Sequence, residues 1–250
     1  MKFCLISCDI FFREMEAAVK RSPHRIEVSF LPKGLHDMKS AEMLSRMQTQ
    51  IDAIAPGFDA VLLGYGLCNN GLSGLVARHT KLVVPRAHDC ITLFFGSKER
   101  YAEYFFSHPG TYFKTTGWIE RGEAGEELKQ FTIPHQMGMD KTLDEFIAEY
   151  GEDNGPFLFE TLGQHTRNYG QLTFIEMGVE PDGSFEQRTR DDAAARGWEF
   201  EKVRGDMSLF ESLANGNWPE KDFLIVPPGH RLVASHDDAI IRAEPLPAAS

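Results

Sequence analysis

Three of the four cysteines in this sequence fall where short apolar runs end. Cys8 follows Phe3–Ile6, and Cys68 sits in Leu63-Gly64-Tyr65-Gly66-Leu67-Cys68-Asn69-Asn70-Gly71. Cys90 closes the segment Pro85-Arg86-Ala87-His88-Asp89-Cys90, which follows another apolar run. His36 stands a few residues beyond a fourth run, Ile26–Leu31. Thiolates with an imidazole suit zinc, which takes four N/S ligands and keeps one position open in catalytic sites. A thiolate-rich set also suits iron or copper. The candidate ligands are therefore Cys8, Cys68, His88 and Cys90, with His36 as a substitute. Core packing is the competing reading, because free cysteine behaves as a small buried hydrophobe. His88-Asp89-Cys90 also lacks the paired spacing of a zinc ribbon. Cys4, inside the first run, takes the packing reading.

Asp9 and Asp89 adjoin these cysteines and are the candidate catalytic groups, as a general base or as orienters of His88. Capping of the next helix is their plain alternative. Gly64, Gly66, Gly71 and Gly74 flank Cys68 and predict backbone passing close to a ligand. Asn69, Asn70 and Ser73 would offer amide and hydroxyl hydrogen bonds there, or merely cap a turn. The pattern is neither a dinucleotide-binding nor a P-loop glycine motif. Gly96-Ser97-Lys98 opens a helical stretch whose free amides and Lys98 suit an anion, although a serine cap explains the same residues. Arg86 and Trp118 complete the substrate- or cofactor-binding set, Trp118 as a pocket wall or lid, or else as aromatic core.

What must position these side chains is an α/β sheet. Strands are predicted at Phe3–Ile6, Ile26–Leu31, Asp59–Leu63 and Lys81–Val84, with helices through Met15–Val19 and from Ser40 to Ile54. Strands separated by helices imply parallel crossovers. In such sheets ligands bind beyond the carboxyl ends of the strands, where the cysteines fall. Residues 105–170 read as a helical and irregular insertion, with helices over Lys141–Tyr150 and Pro156–Arg167. Strand signals at Leu172–Met177, Glu199–Val203 and Phe223–Val226 predict a second α/β lobe over 171–250, the first being 1–104. The fold expected is a parallel Rossmann-like sheet with helices on both faces, in two lobes with a cleft between them.

The 250 residues carry 37 acidic and 26 basic side chains, a formal charge of −11, with no Lys/Arg cluster suited to nucleic acid. No apolar run approaches the roughly 18 residues of a membrane span. Asp9, Arg13 and Glu14 interrupt the N-terminal run before a signal h-region forms. Irregular cysteine spacing excludes a disulfide framework. These features predict a cytoplasmic protein with reduced thiols.

The segments Gly64–Gly71 and Pro85-Arg86-Ala87-His88-Asp89-Cys90-Ile91-Thr92, continuing to Gly96-Ser97-Lys98-Glu99-Arg100-Tyr101, resemble the domain-of-unknown-function family 1638. The resemblance covers most of the chain and is strongest over about 60–122. It implies methyl-group or one-carbon chemistry with a corrinoid protein as partner. Zinc-dependent thiol methyltransferases offer a chemical parallel, since they pair His-x-Cys with a distant cysteine. The leading expectation is a zinc-dependent enzyme acting on a small molecule. A cofactor- or metabolite-binding accessory protein without turnover is the alternative. A third reading rests on Leu67-Cys68-Asn69-Asn70, which resembles the Cys-Asn-Thr segment of cofactor-independent racemases. Such enzymes place one thiol in each lobe, and the second half of this chain has no cysteine.

Overall fold

Lys2–Cys8 (β1) is buried on both faces along its second half, as a central parallel strand must be. A single 3₁₀ turn, Asp9–Phe11, leads into Phe12–Arg21 (α1). Arg25–Leu31 (β2) pairs parallel with β1, and its mostly exposed residues mark it as the sheet edge. A second 3₁₀ turn, Lys33–Asp37, precedes Ser40–Asp52 (α2), which buries Met43, Met47 and Ile51 at helical spacing. Ala60–Gly64 (β3) and Leu82–Pro85 (β5) are wholly buried, with the two-residue strand Val76–Ala77 (β4) between them. The structure, a computed structural model, describes residues 1–68, 70–121, 128, 130, 132, 141–163 and 168–247.

Next come two short helices whose starts are capped by their own sequence. Asp89 accepts from Thr92 N at the start of Cys90–Phe95 (α3), and Ser97 accepts from Arg100 N at the start of Lys98–Ser107 (α4). Thr111–Lys114 (β6) and Thr116–Arg121 (α5) follow. The helices expected over 141–150 and 156–167 fall on Leu143–Gly163 (α6), where non-helical backbone at Gly151 (φ 82°, ψ 166°) separates two helical segments. The rest of the second helix lies outside the described residues. Gln171–Glu176 (β7), Ser184–Arg196 (α7), Glu199–Arg204 (β8) and Ser208–Ala214 (α8) continue the alternation. Phe223–Val226 (β9), His230–Ala234 (β10) and Ile241–Pro245 (β11) end the described chain.

The main sheet has the order β2-β1-β3-β5-β9. Its first four strands are parallel, and β9 runs antiparallel along β5. The fold is therefore mixed α/β with a mostly parallel central sheet. A second sheet, β6-β7-β8, is wholly parallel, and β10 joins β11 and β4 in a small antiparallel sheet. Strand assignment thus departs from the expected two halves. Phe223–Val226 completes the first sheet, and the first strand of the second sheet comes from within 105–170. Four apolar residues carry no mark of partner or direction; Arg86 supplies one by donating to the carbonyls of Glu220, Ala239 and Ile241. No helix among the described residues is long and apolar enough to cross a membrane.

One buried group works against the core. Glu14 on α1 is buried, and neither carboxyl oxygen has a hydrogen-bond partner among the described residues. Burial, with Glu180 nearby, pushes its pKa up to about 8 from 4.5. The unfolded chain therefore ionises this group first, so stability is lost as pH rises from 4.5 towards about 8. The cost at neutral pH is about 3 kcal/mol. Glu14→Gln is expected to recover most of it in urea unfolding at about pH 7.5, and to change little at about pH 4, because both forms are then neutral.

Candidate functional site

Strands β1, β3 and β5 are neighbours, so their carboxyl ends lie side by side. Cys8 is the last residue of β1, Cys68 lies in the loop after β3, and Cys90 opens α3 after β5. Two backbone hydrogen bonds tie the loops together: Leu67 N to Ala87 O at 2.8 Å and Cys68 N to His88 O at 3.0 Å. A Cβ on Gly66 would lie 2.7 Å from the carbonyl carbon and oxygen of Asp89, so only glycine lets the loops meet there. Gly64 and Gly71 pack instead against side chains, those of Ser7 and Met43. The glycines predicted to approach a ligand instead approach other protein segments. Beyond the clasp, Cys68 and Asn70 take left-handed backbone, with φ of 46° and 62°. That is uncommon for any residue with a side chain, and such strain concentrates at functional sites.

The three thiols share one electrostatic environment. Burial pushes each upward, Cys68 to about 12, and all three favour their neutral form. Cys8 and Cys90 are buried outright; Cys68 keeps some exposure as a residue, although protein surrounds its thiol. Cys90 is raised further by Cys68, Asp89 and Cys8, and Cys8 by Cys68 and Asp9. Tyr65 Oη is wholly buried and without a hydrogen-bond partner among the described residues; burial first, then Cys8, Cys68 and Asp9, push its pKa up. The Trp118 indole N–H is directed at the Cys90 sulfur and favours its thiolate, yet it completes no regular hydrogen bond. Among the described residues, no three His, Cys, Asp or Glu side chains are arranged to hold a metal ion.

The other predicted residues divide by location. His88 is exposed and faces a separate cavity of about 680 Å³ shared with Lys98, Ser235 and His236. His36 bonds Asp37 at 2.5 Å and sets its ring 5.7 Å from that of Trp118, which links it to the thiols. Asp9 accepts from Lys33 N at 2.8 Å, and burial raises its pKa. Asp89 caps α3 and also accepts from the Tyr101 hydroxyl at 3.3 Å, so its bonds go to Thr92 and Tyr101. Arg86 spends its donors on backbone carbonyls, and Ser73 accepts from Ala234 N. Gly96 ends α3 in left-handed geometry, Ser97 caps α4, and Lys98 donates to Asp238 O. These residues serve capping and loop anchoring. Asn69 lies outside the described residues.

Trp118 is delivered to the thiols by Gly117, whose α-carbon packs against Ile10 O where no Cβ would fit. Its ring walls two cavities, of about 540 and 440 Å³. Sequence reasoning missed Tyr65, Lys33 and Tyr101. The signal for Tyr65 was its position between Gly64 and Gly66, where a tyrosine in a glycine turn ordinarily faces solvent.

Residues 30–214 match the model of a family described as a protein of unknown function, DUF1638. The chain belongs to this DUF1638 family. The matched region holds Cys68, Cys90 and Trp118 and begins after Cys8, so two of the three thiols lie within the DUF1638 match. Comparison with curated proteins and with solved structures finds no match.

The clasp makes a direct prediction. Gly66→Ala places a methyl group against Asp89 backbone, which cannot yield as a flexible side chain would. We expect a loss of about 2–4 kcal/mol in denaturant unfolding. Cys68 and Cys90, protected from alkylation at neutral pH in the native protein, should become reactive in the variant.

Proposed function

We propose that this chain is a metal-dependent enzyme acting on a small molecule, with Cys8, Cys68 and Cys90 holding a soft ion, zinc first, beneath Trp118. The observation that carries this reading is the placement of three thiols at three adjacent strand ends, with a buried tyrosine hydroxyl without a partner among the described residues. Core packing accounts for one buried cysteine. It gives no reason for three to share an electrostatic environment at the sheet edge where α/β folds bind ligands.

The donor chemistry fits. Three sulfurs leave one zinc position for a substrate atom. In the structure each thiol favours its protonated form, and the three do not form a ready ligand set. A divalent ion that displaces those protons couples binding to side-chain rotation, so affinity should rise with pH. When bound, zinc would lower the pKa of a substrate thiol and hold it as a nucleophile, chemistry suited to methyl-group transfer. Around that position this chain supplies Tyr65 Oη and Trp118 Nε1 as donors. Asp9, within range of Cys8 and Tyr65, is the proton acceptor.

Elemental analysis of untagged protein loaded with zinc under reducing conditions tests this. We expect about one equivalent in the wild type and in Cys4→Ser, and loss from Cys68→Ser and Cys90→Ser with circular dichroism unchanged. Less than about a tenth of an equivalent in the wild type, or equal content in wild type and Cys90→Ser, overturns the assignment.

A further inference from the structure

On the far side of Trp118 from Cys90 lies a groove that the proposed function does not use. Its floor is Tyr112 and Lys114 of β6. One wall is α7, with Arg188, Asp192 and Arg196; the other is Trp118 with Lys33. The cavity of about 540 Å³ shares Tyr112, Lys114 and Asp192 with a neighbouring one of about 390 Å³, so the two are continuous. We propose that this groove binds a small molecule through a phosphate or pyrophosphate group.

Four cations converge here in a chain of net charge −11. Three ride on aromatic faces: Lys33 Nζ lies 4.5 Å from the Trp118 ring, Lys114 Nζ 5.4 Å from Tyr112, and the Arg196 guanidinium 5.2 Å from Trp198. Lys33 and Arg196 each also hold a carboxylate, Asp37 and Asp192. The carboxylates facing the groove are already engaged. Asp37 takes Lys33 and His36, Asp192 takes Arg196 at 2.8 Å, and Asp191 accepts from Gln187. Among the described residues Lys114 and Arg188 make no ion pair. Burial lowers the pKa of Lys114; Asp192 opposes this, and repulsion from Arg196, Lys33 and Arg188 adds to it.

The cations without an ion pair among the described residues, Lys114 on β6 and Arg188 on α7, come from two sides of the cavity. That arrangement suits a tetrahedral oxyanion better than a flat carboxylate, and the guanidinium of Arg188 supplies a bidentate fork. The groove runs along the face between β6 and α7 and reaches the amino-terminal ends of β7 and β8 at Tyr169, Leu172 and Trp198. The inference stands whether or not the thiols hold a metal. If they do, a phosphate anchored here leaves the rest of its molecule beside Trp118 and Cys90.

The test is titration of the full chain with inorganic pyrophosphate at constant ionic strength, read by tryptophan fluorescence and melting temperature. EDTA is present throughout, so a metal at the thiols contributes nothing to the result. We expect saturable binding and a raised melting temperature, with affinity weakened at least about tenfold in Arg188→Ala and in Lys114→Met. Arg190→Ala, on the same helix but paired with Glu186 outside the groove, should bind as the wild type does. Absence of saturation by about 10 mM overturns the proposal, as does equal affinity in all three variants. Binding of citrate without binding of pyrophosphate overturns the phosphate assignment.

Discussion

Everything at the thiol edge depends on one close approach, that of Gly66 to the backbone of Asp89. The loops after β3 and β5 are joined there by two hydrogen bonds, and the missing side chain lets them lie in contact. With the loops joined, Cys68 and Cys90 share one environment, and β1 brings Cys8 alongside because it is hydrogen-bonded to β3. A second glycine repeats the device. Gly117 seats α5 on the 3₁₀ turn that follows Cys8, and this lowers Trp118 onto Cys90. Two positions without a Cβ therefore determine how the thiols, the phenol of Tyr65 and the indole of Trp118 meet.

The second consequence is a partition by Trp118. On one side the environment is buried and favours neutral thiols; on the other it is aromatic and positively charged. The thiol side lies at the carboxyl edge of the main sheet, and the groove lies between β6 and α7 of the second. A low-dielectric compartment raises the cost of unpaired charge, and the cation-lined groove lowers the cost of bringing an anion close. The two environments are chemically complementary, one for a soft electrophile and one for an oxyanion.

Burial at this edge also sorts the candidate ligands. Asp89 is drawn into capping α3 and accepting from Tyr101, and His88, one residue earlier, turns to solvent and the cavity beside Lys98. His-x-Cys spacing placed His88 and Cys90 together in sequence, but a helix start separates them in space. His88 precedes the cap and is exposed, whereas Cys90 is the first residue of the helix and is buried. His36 reaches Trp118 instead, through a turn that Asp9 anchors by its bond to Lys33 N.

Much of the local structure was legible from the residues alone. The strands of the first sheet, the caps at Asp89 and Ser97, and the fall of three cysteines at strand ends all follow from interactions within a few residues. So does the family resemblance, since Gly64–Gly71 and Pro85–Cys90 are contiguous motifs. Pairing of β9 with β5, the turning away of His88 and the convergence of Lys33, Lys114 and Arg188 were not legible. Those positions are dozens of residues apart, and no local propensity couples them. Capping, periodicity and turn chemistry act over about one helical turn. Strand partners and shared cavities are chosen by long-range packing, which only the folded chain contains.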